Sequence, residues 1–116
     1  MLTVNRQEIS ITRADTAYLR LIPQIRDEHG KFVDRELEEG DHVYFRIKTG
    51  TDVIEKECFI DYAENKVILN LVPSDTENLE FKTYYYEAEL VTKYDEHFTF
   101  IEYQRFIVEK EIEEHE

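Results

Sequence analysis

The 116-residue chain has no tryptophan, one cysteine, two prolines and three glycines. Its lone cysteine, Cys58, cannot form an intrachain disulfide and belongs to no CxxC pair, and period-two alternation in "EKECFID" groups it with Ile54 and Ile60 as a small core residue. The three glycines stand apart, at Gly30, Gly40 and Gly50, so they form no phosphate-cradling loop. Positive charge is also scarce: 14 Lys and Arg against 27 Asp and Glu leave a net charge of −13, with no basic run anywhere. A surface of that sign repels phosphate backbones and anionic headgroups, so neither nucleic acid nor a membrane surface is an expected partner. No apolar stretch approaches membrane-spanning length, and the start "MLTVNRQEIS" has no charged n-region followed by an apolar run, so synthesis in the cytosol is expected.

Apolar and aromatic residues are plentiful. A hydrophobic fraction of 41%, with 8 Tyr and 7 Phe, is too rich for a disordered chain despite the charge. The length fits a single core, expected over residues 1–110 and followed by an acidic tail, 111–116.

Period two dominates the pattern. In "TAYLRLIPQIR", Ala17, Leu19, Leu21 and Ile25 fall on one face and Tyr18, Arg20, Gln24 and Arg26 on the other, with Pro23 marking an edge or a bulge. "DHVYFRIKT" turns Val43, Phe45 and Ile47 inward. "NKVILNLV" does the same with Val67, Leu69 and Leu71, and "TYYYEAELVTKY" with Tyr84, Tyr86, Ala88 and Leu90. Parity changes between Val4 and Ile9, and again between Ile101 and Phe106, which predicts bulges or crossings between sheets. Helical spacing is confined to "SDTENL" and the last residues of "EKEIEEHE". These features predict an all-β fold: an antiparallel β-sandwich, immunoglobulin-like, of about seven strands, with a small β-barrel of SH3-like or OB type as the alternative.

Candidate chemistry is sparse. The loop 27–41 carries Asp27, Glu28, Asp34, Glu36, Glu38, Glu39 and Asp41, but lacks the alternating ligands and sixth-position glycine of a calcium loop. His29, His42, His97 and His115 form no metal-ligand spacing, Ser74 sits in no nucleophile elbow, and Cys58 has no activating neighbour. The expectation is therefore no catalytic residue, no metal and no cofactor.

"VPSDTENLEFKTYYYEAEL" reads instead as a capped corner feeding a core strand. Ser74 or Asp75 is the expected cap, Leu79 tucks beneath, and Tyr84 or Tyr86 returns a hydrogen bond to the corner. Thr76 belongs to the same corner. Tyr85 has the opposite parity, and with Tyr44 and Tyr18 it forms the expected outward docking face, since exposed aromatics are enriched at interfaces.

Taken in order, "ITRADTAYLRLIPQIRDEHGKFVD", "LEEGDHVYFRIK", "NKVILNLVPSDTENLEFKTYYYEAEL" and "FTFIEYQRFIVEKEI" resemble the small β-sandwich domain of structural proteins from phages and prophages of Gram-positive bacteria. Among such domains, the N-terminal domain of phage upper baseplate proteins is one that it resembles. Asp15 and Thr16 match its "GDT" start, Gly40 and Asp41 its "GDxVxFxI", and Pro73, Asp75, Thr76, Leu79, Tyr84 and Tyr86 its "PxDTxxL" and tyrosine strand. Ala14 and Lys82 stand where that family favours glycine, which bears on the backbone of both corners. The resemblance implies a tail or baseplate part without catalytic residues. Such a part assembles in the bacterial cytoplasm, enters the virion, and binds other phage structural proteins or further copies of itself. An immunoglobulin-like adhesion module from a bacterial surface protein is the alternative.

Overall fold

The computed structural model describes residues 2–5 and 7–110. In chain order the elements are β1 (Leu2–Asn5), β2 (Glu8–Thr12), β3 (Ala17–Leu21), β4 (Gln24–Arg26), β5 (Phe32–Asp34) and β6 (His42–Thr49). They continue with β7 (Asp52–Glu57), β8 (Phe59–Asp61), β9 (Lys66–Leu71), the one-turn α1 (Pro73–Thr76), β10 (Thr83–Val91) and β11 (His97–Glu109).

A six-stranded sheet, ordered β1-β2-β11-β10-β6-β7, lies over a three-stranded sheet, β3-β9-β8, and β4 and β5 pair separately as a hairpin. Both large sheets turn their apolar faces into one core. Val43, Phe45, Ile47, Ala88, Leu90 and Phe106 come from the first sheet; Leu19, Leu21, Val67, Leu69 and Leu71 come from the second. The connectivity is immunoglobulin-like: β3, β9 and β8 occupy the B, E and D positions, while β6, β10 and β11 occupy C, F and G. Among the described residues the larger sheet ends at β1 on one side and β7 on the other, and no barrel closes.

Several details differ from the sequence reading. The described chain has eleven strand segments rather than about seven, because long runs break at identifiable residues. Pro23 has no N–H to donate, so β3 stops before it; Ile25 is then only half-buried in the β4–β5 hairpin instead of sharing the face of Leu19 and Leu21. "VIEKECFID" divides at Cys58, where the chain leaves β7 in one sheet for β8 in the other. Cys58 is buried at this crossing, its N–H bonded to the Val43 carbonyl, and burial pushes its thiol pKa up to about 12. The sandwich is also not wholly antiparallel, since β2 pairs in parallel with the end of β11, Ile9 beside Phe106 and Ile11 beside Val108.

The two parity changes have different causes. At the N-terminus the chain reverses between Asn5 and Glu8, so β1 and β2 form an antiparallel hairpin rather than one bulged strand. Near the C-terminus β11 does bulge: Tyr86 pairs with Gln104, but Ala88 with Ile101 and Glu89 with Thr99. The extra residues, with Tyr103 at φ +44°, let Ile101 and Phe106 both face inward despite their opposite parity. The expected helical end and acidic tail, 111–116, lie outside the described residues.

Leu69 is fully buried at the centre of the smaller sheet, opposite Leu19. Leu69→Ala is expected to lower stability by about 2–5 kcal/mol, read from denaturant melts, because the surrounding sheets cannot close over the void.

Candidate docking face and the corner that positions it

The corner between β9 and β10 holds the two sheets in register. Val72, extended at φ −114° and ψ 162°, takes the cap position, and Pro73 begins α1, where its missing N–H costs nothing. Neither Ser74 nor Asp75 is the cap residue. Instead the Asp75 carboxylate reaches back to the Val72 N–H at 2.8 Å and receives Lys56 Nζ at 2.7 Å. Lys56 also donates to the Asn70 carbonyl, so one lysine ties edge strand β7 to both β9 and the corner. Because the Lys56 and Asp75 side chains are only 23% and 13% exposed, this ion pair is better shielded than those on the open surface.

Thr76 is buried, and its Oγ1 accepts the Ala14 N–H at 2.8 Å. Ala14 sits at φ +65°, the left-handed region where a glycine avoids strain. The second departure, Lys82, needs no such conformation; its carbonyl simply accepts the Val108 N–H. Leu79 packs partly buried against the core. The Tyr84 hydroxyl accepts the Glu80 N–H at 2.9 Å and donates to the Glu80 carbonyl at 3.2 Å, which locks the corner onto β10. Tyr86 serves a different turn: it donates to the Gln7 carbonyl between β1 and β2, and burial raises its pKa to about 12.

The acidic loop is occupied with turn chemistry. Asp27 accepts the N–H groups of His29 and Lys31, and Asp34 accepts from Gln24. Asp41 is buried, its two oxygens taking the N–H groups of Glu38 and Lys93. The preceding Gly40, at φ +100°, lies so close to Lys93 that a Cβ would stand 2.8 Å from the lysine Cβ, so only glycine fits. Among the described residues no three His, Cys, Asp or Glu side chains gather where they could hold a metal ion.

The outer face of the six-stranded sheet carries Tyr44, Arg46 and Lys48 from β6, Glu55 and Glu57 from β7, and Tyr85, Glu87 and Glu89 from β10. Arg46 lies at its centre, 2.6 Å from Glu55, 3.0 Å from Glu89 and 3.4 Å from Glu87. Hydrogen bonding to Glu55 raises the pKa of Arg46, against desolvation. Three carboxylates on one guanidinium leave the middle of the face negative.

Toward one end, Tyr44 is half-buried, stacked on His42 at 6.2 Å with Arg46 over its ring at 5.5 Å. Toward the other, a rung of Val53, Lys48, Tyr85 and Arg105 crosses four strands. The bulge in β11 brings Tyr103 beside it. The Tyr85 and Tyr103 rings are 6.4 Å apart, and Lys48 Nζ donates to the Tyr103 hydroxyl at 2.9 Å. Tyr85 is 46% and Tyr103 65% exposed, which makes this the aromatic cluster of the face.

The three tyrosines expected to form one docking face therefore do not. Tyr44 and Tyr85 share a sheet face but are four strand positions apart, roughly 13 Å. Tyr18 projects from β3 in the other sheet. Sequence parity identified Tyr85 as outward; its company with Tyr103 and Lys48 depends on strand register and a bulge. The chain matches no protein-family model and no curated protein sequence.

Two outcomes are expected. Ala14→Gly should raise stability by roughly 0.5–1 kcal/mol in denaturant melts, since relief of the left-handed strain exceeds the added freedom of the unfolded chain. The second concerns His97, which contacts Glu89 and Asp95 at 3.2 Å each; the hydrogen bond to Glu89, then that to Asp95, raises its pKa above 6.5. A raised folded value means that His97 adds stability fully below the unfolded pKa and loses it as pH rises through the folded one. His97→Gln should therefore lower the melting temperature more at about pH 5.5 than at about pH 8.5, and an equal loss at both would contradict this assignment.

Proposed function

We propose that the chain is a non-enzymatic structural component of a phage or prophage virion, a tail or baseplate assembly part that docks onto other virion proteins. Two lines support the reading. The motifs shared with phage baseplate domains run in the same order here, and the residues they contain serve the turns: Thr76 holds Ala14, Asp75 holds Val72 and Lys56, Tyr84 holds Glu80, and Asp41 holds Glu38 and Lys93. A motif set used up in corners leaves recognition to the surface.

The observation that carries the docking part is the exposed Tyr85–Tyr103 pair over Lys48. Rigid aromatic side chains bury much area at small entropic cost and dominate many interface energies. Beside this cluster the acidic field around Arg46 selects a partner that presents cationic groups, and the net charge of −13 steers such a partner inward. Assembly in the bacterial cytoplasm followed by incorporation into the virion completes the proposal.

The test is co-purification with defined tail and baseplate proteins encoded beside this chain. Wild type should capture one of them, with affinity falling as salt rises. Tyr85→Ala should weaken binding by about 30-fold, the scale of a tyrosine hot spot, while its melting temperature stays near wild type. Tyr44→Ala should also weaken binding. Capture of none of these proteins, or undiminished capture by both variants, would refute the proposal.

A further inference from the structure

In the immunoglobulin plan the strand at the B position is covered by a first strand, giving the order A-B-E-D. Here β1 pairs with β2 in the other sheet, so among the described residues β3 ends the three-stranded sheet with one backbone edge unpaired. Beside that edge opens a groove of about 270 Å³ whose apolar wall is Ile9, Leu19, Leu21, Tyr86 and Ile101. Tyr18 on the same strand is 68% exposed, and neighbouring Arg20 makes no ion pair among the described residues despite the acidic composition.

The sequence of β3, "AYLRL", is self-complementary about Leu19. Antiparallel pairing with a second β3 around a twofold axis places Leu19 opposite Leu19, Ala17 opposite Leu21, and Tyr18 opposite Arg20, the last two pairs each occurring twice. Side-chain parity is preserved in this register. Ala17, Leu19 and Leu21 turn inward in both copies, and Tyr18 and Arg20 turn outward, where guanidinium and ring meet as cross-strand partners. Pro23 limits the pairing to a short segment, which argues against open-ended stacking and for a closed pair.

We infer that the free edge of β3 is a homodimerisation site, joining two copies into one continuous six-stranded sheet, β8-β9-β3-β3-β9-β8. This interface lies on the opposite sheet from the Tyr85 cluster and does not depend on it. So short an edge makes a weak and reversible dimer. Because each copy carries −13, the dimer is strengthened by salt, which screens the repulsion between copies. That dependence is opposite in sign to the binding of a basic partner.

Sedimentation velocity over a concentration series, at roughly 0.02 M and roughly 0.5 M salt, tests the inference. Wild type is expected to show a concentration-dependent dimer that tightens several-fold at the higher salt. Tyr18→Arg sets an arginine against Arg20 in both symmetry-related pairs and should weaken the dimer at least tenfold. Combining it with Arg20→Glu places Arg opposite Glu twice and should restore affinity to within a few-fold of wild type. Both positions are on the solvent face, and thermal melts verify that the variants fold. A wild type that stays monomeric up to roughly 1 mM at both salts overturns the inference, whether or not another protein's strand adds to this edge. So does a Tyr18→Arg variant that dimerises like wild type, or a double variant that fails to recover.

Discussion

Strand β10 lies inside the six-stranded sheet, paired on both sides, and presents Tyr84 and Tyr86 to the interior. A phenol in that position must find a hydrogen-bond partner, because an unsatisfied buried hydroxyl costs on the order of 1–3 kcal/mol. Both requirements are met by backbone in two separate turns: Glu80 in the corner before β10, and Gln7 in the turn between β1 and β2. Gln7 itself sits at φ +72°, so the bond from Tyr86 falls on a turn that is strained on its own. The corner then recruits its neighbours. Thr76 draws in Ala14 ahead of β3, and Asp75 draws in Lys56 from β7, so one aromatic strand organises four chain crossings.

The charge excess is distributed by the same logic. Carboxylates that enter the fold do so where backbone N–H groups or a cation await them, as at Asp41 and Asp75; the rest ring the outer sheet face around Arg46 or remain in solvent. Exposed ion pairs of this kind contribute little to stability individually. Their consequence is the shape of the field: an acidic middle between Tyr44 and the Tyr85–Tyr103 cluster, facing away from the smaller sheet on which Tyr18 and Arg20 stand. The two faces thus differ in charge as well as in the aromatic groups they offer.

The alternation of side chains was legible because burial in a sandwich has the period of the pleat. Leu19, Leu21, Phe45, Ile47, Leu69, Leu71, Tyr86, Ala88 and Leu90, read as inward from spacing alone, are all in the core. The sandwich class and the C-terminal bulge followed from the same local signal. Ile25 was misread because periodicity is blind to a strand that ends at Pro23 and resumes in a separate hairpin. The N-terminal parity change was misread as a bulge or sheet crossing because a tight reversal, with Gln7 in the left-handed region, leaves the same trace in sequence.

What the sequence by itself determined, then, is which strand residues face inward and how negative the surface is; each is a property of a residue and its near neighbours. Only the tertiary structure decided which outward residues meet. Tyr103 reaches Tyr85 through a bulge and an antiparallel register, Arg46 collects Glu55, Glu87 and Glu89 from two flanking strands, and Tyr18 is parted from Tyr44 by the thickness of the sandwich. The parallel placement of β2 on β11, rather than beside β3, is likewise a choice between two sheets for the same apolar strand. Contacts of this kind join residues on different strands, and their register is set by how two sheets share one core, a quantity no local pattern contains.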